Sequence, residues 1–105
     1  MSKVRIDSPE MFDTVGFEFT VCGKVTPAKL PVQVYVQAAD NKWYLQREVE
    51  KHGGHWAVSC HFGDETGTIG AAYAVVALLT EDRPTTPLET LPDVKTSDVI
   101  LVFRQ

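Results

Sequence analysis

Three histidines, two cysteines and a scatter of acids and tyrosines are the residues of this chain whose types could do chemistry. His52-x-x-His55 and His61 raise a metal reading first, because neutral imidazole is a common zinc ligand. His55 and His61, however, sit in the stretch His55–Gly63. There Trp56, Val58, Cys60 and Phe62 alternate with His55, Ala57, Ser59 and His61. Period-two alternation of this kind predicts a half-buried strand, which sets the two imidazoles roughly 20 Å apart, too far to share an ion. Only His52 and His55 can meet, and two ligands do not close a site. Ser59, Cys60 and His61 look like a nucleophile beside a base. Neighbours on a strand point to opposite faces, so Cys60 and His61 cannot pair. The spacing Gly-x-Ser-x-Gly, a phosphate loop and His-Glu-x-x-His are all absent from the sequence. Asp64-Glu65 with Asp82 or Asp93 lacks the Asp-x-Asp-x-Asp-Gly spacing of a calcium loop. The expectation is a protein that is not an enzyme, with no metal and no cofactor.

The aromatic residues offer binding instead. Tyr35 and Tyr44 fall in phase with Gln33, Gln37 and Gln46 on the polar side of two alternating segments. If those segments pair, rings and amides form a flat surface suited to a sugar or a protein partner. The same tyrosines would also serve plain cross-strand stabilisation. Trp43, in phase with Leu45, is assigned to the core.

The elements that must position these residues read as strands throughout. Val4–Ile6 is a short edge strand stopped by Ser8-Pro9. Gly16–Val25 sets Phe17, Phe19 and Val21 against Glu18, Thr20 and Cys22. Val32–Ala38 sets Val32, Val34 and Val36 against Gln33, Tyr35 and Gln37. Trp43–Val49 has a turn signal at each end, Asp40-Asn41 and Gly53-Gly54, so it can pair with either neighbour or switch between them. His55–Gly63 is the central core strand, with Trp56 as its anchor. Ala71–Leu79 and Val99–Phe103 are apolar on both faces. Between these two, Glu81–Thr96 holds Pro84, Pro87 and Pro92 and is the longest connection. No segment sustains helical spacing. Seven short strands with frequent turns predict an all-β, two-sheet antiparallel sandwich with Greek-key connections, a partly open small barrel being the alternative.

Composition agrees. One domain spanning residues 1–105 is the simplest reading of 105 residues, 44% of them hydrophobic and 23% charged. A net charge of −4 leaves no global basic footprint for nucleic acid or anionic lipid, though a local patch is still allowed. No apolar run approaches the roughly 20 residues of a membrane-spanning helix. The N-terminus lacks an apolar signal core, which fits either a cytoplasmic protein or a fragment of an exported one. Strand parity points Cys22 outward and Cys60 inward, so both are expected as free thiols.

Several segments together resemble the immunoglobulin-like and fibronectin type III-like modules of bacterial proteins. They are Ile6-x-Ser8-Pro9, Phe17-x-Phe19-x-Val21-x-Gly23, Val32–Val36, Trp56-x-Val58-x-Cys60-x-Phe62-Gly63 and Tyr73-x-Val75-x-Ala77. The resemblance spans nearly the whole chain and implies a seven-stranded sandwich without implying one function.

An excess of apolar residues points to an interface. With the Tyr73 phase facing the core, Ala74, Val76 and Leu78 point outward. In the last strand, Val99, Leu101 and Phe103 form the larger set and are assigned to the core, leaving Ile100 and Val102 outside. With Tyr35, these residues make an exposed apolar patch of the kind that marks an interaction site, for a protein partner or a homodimer. The competing expectation is that Glu81–Thr96, with Leu88 and Leu91, folds back over it. The functional expectation is therefore a non-catalytic binding or assembly module working through an apolar sheet face. A carbohydrate-binding module using Tyr35 and Tyr44, or a spacer within a larger surface protein, are the alternatives.

Overall fold

The alternation along the chain is realised as nine strands and no helix in the computed structural model, which describes residues 1–105. The strands are β1 (Lys3–Ser8), β2 (Thr14–Val15), β3 (Glu18–Thr26), β4 (Gln33–Gln37), β5 (Trp43–Leu45), β6 (Glu50–His52), β7 (His55–His61), β8 (Ala72–Leu78) and β9 (Ile100–Arg104). They form two sheets, in the orders β1-β3-β7-β6 and β2-β9-β8-β4-β5. Every pairing is antiparallel except that of the two-residue β2 with β9. The architecture is all-β with two sheets, as expected, and is compatible with a sandwich.

Nine strands replace the expected seven because Thr14–Val15, between the first two expected strands, adds to the second sheet, and the strand expected over Trp43–Val49 gives way to β5 on one sheet and β6 on the other. After Ser8-Pro9 the chain leaves the first sheet, and Thr14–Val15 joins the second beside β9. The segment Trp43–Val49 does not stay one strand. Its first part, β5, pairs with β4, and β6, just past Val49, pairs with β7 on the other sheet, the switch that the two turn signals allow. Gln46 stands at this crossing and ties both sheets. Its backbone N–H donates to Val34 O at 2.9 Å, while its side-chain oxygen accepts the His61 N–H at 2.9 Å.

The core between the sheets joins Val21, Val58, Cys60 and Phe62 from one side to Val34, Val36, Val75 and Val102 from the other. Trp56 is its largest fully buried side chain. Gly23 lies opposite Trp56 across β3–β7 and opposite Ile6 across β1–β3. A Cβ at Gly23 would stand 1.8 Å from Arg5 O and 2.7 Å from the indole Cζ2, so only glycine admits the ring and β1 together. At the other end, the buried Arg104 guanidinium reaches back to the β7–β8 loop, donating to Phe62 O at 2.5 Å and Asp64 O at 2.9 Å.

One expected face is reversed, and one core residue joins a second cluster. In the last strand, Ile100 and Val102 face the core, whereas Leu101 and Val99 are exposed. The register explains this. Residues directly opposite one another share a face, and Val75 and Tyr73, which point inward, pair with Ile100 and Val102. The smaller apolar set goes inside because its partners are there. Trp43 is buried but belongs to a second cluster on the outer face of the five-stranded sheet. It is opposite Gln37 and shares the phase of Tyr35.

Truncating Trp56→Ala should cost about 3–5 kcal/mol in urea-induced unfolding, which a small domain survives only marginally. A denaturation midpoint close to that of the unmodified protein would contradict this account of the core.

Candidate functional site

The patch expected from the sequence is assembled by the sheet but closed by the chain itself. Tyr35, Ala74, Val76 and Leu78 share the outer face of β4 and β8, since Tyr35 pairs with Val76 and Gln33 with Leu78. Their exposures are only 1%, 4%, 0% and 0%. Leu88, Leu91 and Val94 of the proline-containing connection pack onto them, with Leu45 and Trp43 at the side. Of the other patch residues, Val102 is buried in the main core and Ile100 packs against it, for the register reason given above. The expected open surface is therefore corrected to a second, covered core.

The cover is stitched by hydrogen bonds as well as apolar contact. Trp43 and Leu88 exchange backbone bonds of 2.7 and 2.9 Å. The Leu79 N–H donates to Lys95 O at 2.9 Å, and Ser97 engages Ala77 through both backbone and hydroxyl. Arg83 donates to the Gln33 side chain at 2.6 Å and to Gln46 O at 3.1 Å. Burial pushes the Tyr35 phenol above its ordinary value, partly countered by the nearby Arg83 guanidinium.

Tyr44 is separated from Tyr35, because adjacent register positions point them to opposite faces: Tyr35 opposes Leu45, while Tyr44 opposes Val36. The expected shared surface of rings and amides does not form. Tyr44 lies instead at a cleft of about 350 Å³ between the two sheets, with Val36, Arg47, His61 and Tyr73. Its hydroxyl donates to the Asp40 carboxylate. That bond holds the Asp40 carboxyl below its usual range and the Tyr44 phenol above its own.

The remaining candidates stay apart. His52 and His55 oppose each other across the β6–β7 turn, while His61 stacks on Phe17 at the far end of β7 with ring centroids 4.9 Å apart. The Ser59 hydroxyl donates to Glu18 at 2.8 Å, and the His61 imidazole stands 4.0 Å from the same carboxylate oxygen. The partner of that hydroxyl is thus a carboxylate rather than an imidazole. Asp64 accepts the Thr66 N–H and hydroxyl within its own loop. No group of three or more His, Cys, Asp or Glu side chains is placed to hold a metal ion. Cys22 and Cys60 lie in one sheet, on opposite faces, as free thiols. Burial pushes the Cys60 thiol up to about 12.

What the sequence reading missed is a second apolar strip on the same sheet, beside the covered zone. Leu101 is 42% exposed and Phe12 is 64% exposed. The Phe12 ring stacks on Phe103 with centroids 6.4 Å apart and an interplanar angle of 21°. The Phe12 N–H donates to Leu101 O at 2.7 Å, and the Leu101 N–H meets the Met11 sulfur at 3.3 Å. Phe12 also holds a left-handed backbone, φ 69°, which is rare for a bulky side chain and costs of order 1–3 kcal/mol. Met11-Phe12 reads in sequence as part of a loop, so its one legible signal is two large apolar residues exposed between acids.

No family model matches this chain, and no curated protein matches it. No helix is long and apolar enough to cross a membrane.

Two outcomes check this geometry. Val76→Lys should destabilise the protein by several kcal/mol in thermal or urea unfolding, because a charge replaces a side chain sealed under the loop. Unchanged stability would mean the cover opens freely. Alkylation of the native protein should modify Cys22 alone, with Cys60 reacting only after denaturation, as intact mass would show.

Proposed function

We propose that this protein is a non-catalytic assembly module that docks a partner protein through the apolar strip of Met11, Phe12, Leu101 and Phe103. The observation that carries the reading is the Phe12 ring, stacked on Phe103, 64% exposed and held out by a left-handed backbone. A bulky residue keeps such a conformation only where the surrounding bonds impose it, and here they present an aromatic ring to solvent. Aromatic, methionine and leucine side chains in one exposed group are the composition of an interface core. Glu10 and Asp13 bracket the strip, the Glu10 N–H donating to the Asp13 carboxylate at 2.8 Å. Two copies meeting strip to strip would set these acids against each other. That repulsion favours a different protein with an apolar patch and a basic rim over a symmetric homodimer.

The sheet orders β1-β3-β7-β6 and β2-β9-β8-β4-β5, with the crossings from β1 to β2 and from β5 to β6, support an immunoglobulin-like sandwich as the frame of this module. The carbohydrate alternative keeps only Tyr44 of its two tyrosines at the surface.

A benzoylphenylalanine placed at Phe12 should give one crosslinked protein of defined mass in the native host. Leu101→Lys should abolish that product while shifting unfolding stability by less than about 0.5 kcal/mol, as expected for a half-exposed position. The same label at Thr20, on the outer face of the other sheet, should not capture it. Equal products from both positions, or none from Phe12, would remove this reading.

A further inference from the structure

We infer that the groove along the start of β1 is a binding site for a tetrahedral oxyanion, a phosphate or sulfate group carried by a soluble ligand. On β1, Val4 faces the core opposite Val25, so Lys3 and Arg5 point to the outer face of the four-stranded sheet. The register sets Lys3 opposite Thr26 and Arg5 opposite Lys24, on that same face. From the other sheet, Lys95 reaches the groove where its segment pairs with Leu79, and its ammonium donates to Ser2 O at 3.2 Å. The groove encloses about 350 Å³.

Its chemistry is one-sided. The 8 residues lining it bring four cations, Lys3, Arg5, Lys24 and Lys95, and three hydroxyl residues, Ser2, Thr26 and Thr96, with no carboxylate. The chain as a whole has 14 acids against 10 Lys and Arg. The only carboxylate near enough to pair is Asp7, bound to Arg5 Nε at 2.9 Å from outside the groove, which leaves the other three cations without an acidic partner.

Like charges directly opposite on one sheet face repel, and Arg5 faces Lys24, whose neighbour on its other side is His55. An ordinary surface would intersperse acids here. A concave group of cations and hydroxyls lacking them matches the needs of an oxyanion, which takes charge-assisted bonds from Arg and Lys and further bonds from hydroxyls.

Calorimetric titration of the whole chain with sodium pyrophosphate at low ionic strength should show saturable binding. The doubly substituted Lys3→Gln, Lys24→Gln protein should bind about tenfold more weakly or worse, and raising the salt to about 0.2 M should weaken the unmodified protein too. Sodium sulfate in parallel separates a site selective for phosphate from one taking either oxyanion. Because Lys3 and Lys24 are exposed, the variant should fold, and its unliganded denaturation midpoint should be no lower than that of the unmodified protein. Absence of saturable binding with both anions overturns the proposal, as does equal binding by the variant.

Discussion

The β4–β8 part of the five-stranded sheet is apolar on both faces, and everything that the surface can offer depends on how the second face is covered. The inner face packs on Trp56, Val58 and Phe62 from the other sheet. The outer face, with Tyr35, Val76 and Leu78 at its centre, has no second sheet, so the chain covers it with its own longest connection. Pro84, Pro87 and Pro92 suit that task. Their fixed φ angles lower the conformational entropy lost when an extended segment is laid down without a strand ladder. Leu88, Leu91 and Val94 supply the apolar contact, and Trp43 and Leu88 close the backbone bonds. A passive-looking loop is thereby part of the core.

How far the sequence could be read follows from which signals are local. Side-chain alternation is a property of a single strand, so Val21, Val34, Val36, Trp56, Val58 and Cys60 were legible as core residues, and Cys22 as the outward thiol. Which face of a two-sided apolar strand turns inward is decided by its partner's register. Val99–Phe103 therefore could not be phased from its own residues, and counting the larger set gave the wrong face. The burial of Trp43 is legible, but not which core it joins, because the surface that covers it arrives from Leu88, far along the chain. The break in Trp43–Val49 depends on Gln46 bonding to both sheets, which no periodicity encodes. The strip at Phe12 was hidden because loop residues carry no phase.

The fold also sorts charge in a way that a net value conceals. Strand β1 carries Lys3 at its start and leads towards Glu10 and Asp13 beyond its end, a span of roughly 20 Å along the strand. Cations therefore gather at one end of β1, with Lys24 and Lys95, and acids flank the apolar strip at the other. An overall charge of −4 averages two surfaces of opposite character. Long-range attraction of a charged molecule to one end is repulsion at the other, screened beyond about 8–10 Å in physiological salt.

The free edges of the two sheets decide how such a molecule can associate at all. An open strand edge is a template for another chain, and each edge here is blunted. The outward backbone groups of Trp43 on β5 are already bonded to Leu88. Strands β2 and β6 are two and three residues long, too short to hold an added strand. Strand β1 is longer, but its register shifts between Ile6 and Ser8, and Lys3, Arg5 and Asp7 line it with charge. With strand addition disfavoured on every side, association falls to side chains on a face. The outer face of β4 and β8 is sealed, whereas rings and aliphatic groups beside β9 stay exposed. For the docking proposed above, the backbone bond from Phe12 to Leu101 would be an advantage: a contact made by a few side chains gains from having them fixed before the partner arrives.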